Sequence, residues 1–118
     1  MRLRRAILFA KNIDVMTAFY RDAVGLRLVP GKTTRGWIEF EDLALHAIPD
    51  SIAAAIQIQS PPAARSDSAI KLVFEVADLT AARAHLEEHG AVMREARPWG
   101  CDGLDPEGNV FQIVPTSD

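Results

Sequence analysis

Four polar residues carry most of the chemistry this chain could do. Arg5 and Lys71 lie 66 residues apart, and so do His46 and Gln112. An arginine and a lysine on one concave face can hold a carboxylate or phosphate, the arginine through two parallel bonds. Imidazoles titrate near neutral pH and serve as acid or base. Glutamine offers both a donor and an acceptor. Trp37 and Trp99 can supply flat walls for an aromatic ligand, or can pack into the core or a dimer contact.

The elements that must position these residues come in two sets. Residues 3–10 form an apolar run that suits a strand, closed by Lys11-Asn12. A helix follows with Asp14 as its cap, Val15, Ala18, Phe19 and Ala23 facing inward, Arg21 and Asp22 outward, and Gly25 as its stop. Strands are expected at 27–29, ended by Pro30-Gly31, then at 36–41 and 43–48. Residues 51–56 suit a short helix, and 57–68, with Pro61-Pro62, a linker.

The second set repeats the order. It has a strand at 70–76 and a helix at 79–89 with Leu79, Ala82, Leu86 and the Arg83 stem inward. Gly90 is the stop, 92–94 a short strand, 99–104 ambiguous, Asp105-Pro106-Glu107-Gly108 a turn, and 110–114 the last strand. A shift of 66 residues matches Ile7, Leu8, Ala10 and Asn12 with Val73, Phe74, Val76 and Asp78, and also Pro49 with Pro115. The expected fold is α+β: two βαβββ modules forming a cupped, open, barrel-like sheet with helices outside. Module 1 takes 1–49, the join 50–69 and module 2 takes 70–118, all in a single domain.

Side chains alternate along strands. Arg5, Ile7 and Phe9 therefore share a helix-free face with His46, and Lys71, Val73 and Glu75 share one with Gln112. A pocket between the modules would be lined by Arg5, Ile7, Phe9, Trp37, His46, Lys71, Glu75, Trp99 and Gln112. Glu39 and Glu75 are the competing internal partners for Arg5 and Lys71, and His46 can equally be a satisfied core or edge residue.

The bulk numbers narrow the class. A chain of 118 residues with 48% apolar content can bury a core, and a formal charge of −3 argues against a nucleic-acid partner. The single Cys101 excludes an intrachain disulfide and has no activating cation beside it in sequence. No apolar stretch reaches membrane-span length, and the expectation is a cytoplasmic protein without membrane contact. His85 and His89 read as surface residues, and Asp105 and Glu107 as turn-formers.

Two segments carry a family resemblance. Lys11-Asn12-Ile13-Asp14 is followed by Thr17-Ala18-Phe19-Tyr20-Arg21-Asp22-Ala23-Val24-Gly25-Leu26, and Asp105-Pro106-Glu107-Gly108-Asn109 leads into Val110-Phe111-Gln112. Over nearly the whole chain this resembles the vicinal oxygen chelate superfamily, which includes glyoxalase I, bleomycin-resistance proteins and ring-cleaving dioxygenases. In metal-dependent members the first and fourth strands of each module supply His, Glu or Gln ligands. The resemblance places those positions at Arg5, His46, Lys71 and Gln112, where two are cations. It therefore implies a homodimer that binds a small anionic or aromatic molecule, with no cofactor expected. The alternative is a lyase, isomerase or dioxygenase with His46 as its catalytic base, or with a divalent metal on His46 and Gln112.

Overall fold

A computed structural model describes residues 1–65 and 68–116. Residues 66–67, part of the expected join, and 117–118 lie outside the described residues. The chain divides into two compact units, Met1–Gln57 and from Ile58 onward. The expected join is thus shared: Lys11 Nζ donates to the Ile56 carbonyl in the first unit, and Arg65 is held inside the second.

The first unit runs β1 (Ala6–Ala10), α1 (Ile13–Ala18), β2 (Leu28–Thr34), β3 (Trp37–Phe40), β4 (Leu43–Ala47) and α2 (Asp50–Ala53). Its sheet has the order β1-β4-β3-β2, with β1 and β4 parallel and the other neighbours antiparallel. The second unit runs β5 (Leu72–Val76), α3 (Leu79–Glu88), β6 (Val92–Met93), β7 (Cys101–Leu104) and β8 (Val110–Pro115), in the sheet order β5-β8-β7-β6. The fold is α+β, with two βαβββ modules, each a four-stranded mixed sheet not closed into a barrel.

Both long helices start on a side-chain cap. Asn12 Oδ1 accepts from the Val15 amide at 3.1 Å, and Asp78 Oδ1 from the Ala81 amide at 3.0 Å. The first cap is therefore Asn12 and not the expected Asp14. Asn12 has the extended backbone a cap needs, whereas Asp14 lies inside the first turn. The inner face also differs from expectation. Val15 is exposed, and Met16, Phe19, Tyr20 and Ala23 are buried. After Ala18 the helix widens into a π-type segment, Phe19–Ala23, with the Val24 amide bonded back to the Phe19 carbonyl. Phe19 and Tyr20 meet edge to face at 5.1 Å. Arg21 and Asp22 stay outside as expected, and the Asp22 carboxylate, through its hydrogen bonds first and its charge second, raises the arginine's pKa above the ordinary value.

β2 does not stop at Pro30-Gly31. It continues to Thr34 through an irregular register between Leu28 and Thr33. As an edge strand it can carry a proline without breaking an inner ladder. The ambiguous 99–104 stretch resolves into β7 preceded by a tight reversal, where the Arg97 and Gly100 amides each bond the other's carbonyl.

The turn before β8 is a buried polar knot. Asp105 Oδ1 accepts from the Glu107 and Asn109 amides at 2.9 and 3.0 Å, and Asn109 Nδ2 donates to Asp105 Oδ2 at 2.8 Å. Asp105 and Glu107 are buried, so they do more than form a turn. Arg65 pairs with Glu107 Oε1 at 3.5 Å and donates to its carbonyl. A Cβ on Gly108, whose φ is +84°, would overlap the Ala63 carbonyl oxygen.

Candidate functional site

β1, β4 and β3 lie side by side, and their registers put Phe9, His46 and Trp37 opposite one another in one row across the sheet. The Phe9 and His46 ring centroids are 5.6 Å apart, and those of His46 and Trp37 are 5.7 Å apart. Phe9 is 57% exposed, His46 is exposed and Trp37 is half-buried. This is an accessible strip of three rings with an imidazole at its centre. Sequence alternation had assigned Phe9 and His46 to the helix-free face, and the register adds Trp37 to their row.

The next row on the same face is Ile7, Ala44 and Glu39. Arg5 reaches over it, with Nη1 and Nη2 each 3.4 Å from the Glu39 carboxylate and its guanidinium 5.9 Å from the Trp37 ring. Trp37 Nε1 donates to Glu39 Oε1 at 3.2 Å. One carboxylate thus holds both the cation and the indole.

The second unit shows how the first has specialised. Its corresponding row is Val73, Gln112 and Asp102, and Lys71 Nζ lies 3.2 Å from Asp102. Ion pairs Arg5–Glu39 and Lys71–Asp102 occupy matching places. Lys71 therefore pairs with Asp102 and not with the expected Glu75, which is exposed beside Val114.

This corrects the 66-residue match in the fourth strands. The Ile48 amide bonds the Ala10 carbonyl, and the Thr116 amide bonds the Val76 carbonyl, so equivalent fourth-strand residues stand 68 apart. Gln112 corresponds to Ala44, and His46 to Val114. Pro49 and Pro115 are likewise not equivalent. The first strands keep the shift of 66 through the two caps, and the extra two residues arise between cap and fourth strand.

The metal-ligand positions implied by the resemblance are then Arg5, Ala44, Lys71 and Gln112, and only Gln112 offers a neutral donor. Arginine and lysine offer no ready lone pair at neutral pH, and alanine has no donor atom. Among the described residues no three His, Cys, Asp or Glu side chains converge on one point. The residues present do not fit a metal held in that manner.

Trp99 belongs to the second unit. It is 65% exposed beside a depression of about 180 Å³ lined by Arg94, Glu95, Arg97, Gly100 and Asp102. A second hollow, about 410 Å³, is lined by Arg65, Ser68, Ala69, Ile70, Lys71 and Val110. Cys101 is buried, with Sγ 3.2 Å from the Arg94 carbonyl oxygen. The sequence offered Glu39 as the partner of Arg5, which the structure bears out, but gave no signal for Ala44 or for Asp102 as the partner of Lys71.

Residues 6–114 match the family model described as a glyoxalase-like domain. No curated protein matches the chain. Among solved structures, a glyoxalase/bleomycin resistance protein/dioxygenase family enzyme from Burkholderia phytofirmans is similar, with a TM-score of 0.74, 18% identity, and 99% of this chain and 100% of that one covered. The antibiotic binding protein TnmS3 from Streptomyces gives 0.63, 20%, 99% and 97% for the same measures. The fosfomycin resistance protein FosX from Mesorhizobium loti gives 0.69, 14%, 98% and 92%.

Proposed function

Because this chain belongs to the glyoxalase-like domain family of the vicinal oxygen chelate superfamily, we propose that it binds a small, flat aromatic molecule, without the metal that chelating relatives use. The observation that carries this reading is the exposed row Phe9–His46–Trp37. The rings, tilted by 37° and 70° to one another, offer an apolar ring ligand both faces and edges, and offset or edge contacts each add about 0.5–1.5 kcal/mol beyond area burial. His46 then serves as the hydrogen-bonding centre of the strip. Arg5 is already matched by Glu39, so it orients Trp37 before it holds any anion. Ile7 extends the same face by one row, whereas Lys71, Glu75, Trp99 and Gln112 belong to the second unit. One similar structure is of an antibiotic binding protein, which supports a binding role for this fold.

The reading includes a cytoplasmic homodimer. Its test is a thermal-shift screen of flat neutral aromatic compounds, aliphatic phosphonates and divalent metals, since ligands that bind the native state raise its melting temperature. Aromatic compounds should stabilise the wild type, and Trp37→Ala should abolish that shift. Stabilisation only by a divalent metal, or only by phosphonates, would sink the proposal and favour the metal-dependent or His46-based enzyme. An enzyme of that kind would show turnover that His46→Ala removes while binding persists.

A further inference from the structure

α3 ends on two histidines that the ring row does not involve. His85 and His89 are four residues apart, the spacing that puts two side chains on one helix face. Both are exposed, and their ring centroids are 4.3 Å apart at an interplanar angle of 49°. His89 Nδ1 lies 2.9 Å from the His85 carbonyl oxygen. A carbonyl only accepts, so that bond places a proton on Nδ1 and, in the neutral ring, leaves the lone pair on Nε2. Histidine ligands are commonly set in this way, with one ring nitrogen donating to a carbonyl while the other binds the ion.

We propose that His85 and His89 form a two-imidazole clamp for a borderline divalent ion, with copper(II) bound most tightly. Two histidines at this helical spacing are a known zinc-binding arrangement, and imidazole suits copper, nickel and zinc, with copper(II) highest in affinity. The ion would sit at the C-terminal end of α3, where His89 is the cap and the last carbonyls carry partial negative charge. Among the described residues no third His, Cys, Asp or Glu converges there. The ion therefore keeps solvent-facing positions open to a small anion or amine. This site is built from the second unit's residues alone and does not rest on the ligand proposed for the first unit.

The experiment is a copper(II) titration of the intact protein in a weakly coordinating buffer, followed by calorimetry and electron paramagnetic resonance. One equivalent should bind with two imidazole nitrogens in the equatorial plane. His85→Ala and His89→Ala should each lose that phase, with circular dichroism unchanged, while His46→Ala keeps it. A wild-type spectrum with fewer than two imidazole nitrogens overturns the clamp whatever the variants do. So does a binding phase that survives either substitution on α3, or one that disappears with His46.

Discussion

Arg5 and Lys71 each end on a carboxylate, and that pairing sets what the first unit's sheet face can recognise. Arg5 and Glu39 are mostly shielded from solvent, with side chains 21% and 13% exposed. Glu39→Gln should therefore release the guanidinium and turn a surface for neutral rings into one that prefers acids. With 2-naphthoate and 2-naphthamide as probes, the variant should gain roughly tenfold in its preference for the acid, about the value of one charge-assisted hydrogen bond. Tryptophan fluorescence in a Trp99→Phe background reads this from Trp37 alone. An unchanged preference would place Arg5 away from the ligand. In wild type, Trp37→Phe should weaken 2-naphthamide about fivefold, near 1 kcal/mol, since a smaller ring stays in the row. At this scale the sequence showed the cations, the rings and Glu39 as the partner of Arg5, but not Asp102 as the partner of Lys71. Ala44 was invisible because a small apolar residue in an apolar strand has no chemical signature, while the nearby histidine drew the eye by its chemistry.

At the level of elements, the caps and the last turn define where β4 and β8 begin their ladders. Asn12→Ala and Asp78→Ala each remove a bond to a helix amide and should cost about 1 kcal/mol. Differential scanning calorimetry should show each as a fall of about 4 °C in melting temperature. Gly108→Ala should be worse. The left-handed backbone alone costs an alanine ~1–2 kcal/mol, and its methyl group would push into the Ala63 carbonyl. Element order was legible from periodicity and stop residues, because the stops at Gly25 and Gly90 both have positive φ. Register was not. A two-residue slip between parallel strands leaves every side chain on the same face, so the alternating pattern of β4 and β8 fits both pairings equally well. The π-type widening of α1 also left no sign beyond two adjacent large rings, Phe19 and Tyr20, that both had to be buried.

Across the whole molecule, each unit has a well-packed helix side and an opposite sheet face with apolar groups in water. Ile7 and Phe9 are exposed on one, Val73 on the other. Burying such groups is favourable at about 25 cal/mol per Å² of apolar surface, and exposed apolar patches mark sites where something docks. The proposed homodimer supplies that cover in the absence of ligand. Sedimentation at micromolar protein should then give a mass near twice 12.9 kDa, and the melting temperature should fall on dilution, because assembly stabilises by mass action. Phe9→Asp separates the dimer from the ligand site. If Phe9 belongs to the interface, the variant sediments as a monomer at all concentrations and melts independently of dilution. If Phe9 serves only the ring row, the variant stays dimeric and loses the aromatic probe. A wild type that is monomeric, with a concentration-independent melting temperature, removes the homodimer and leaves the exposed strip to the ligand alone.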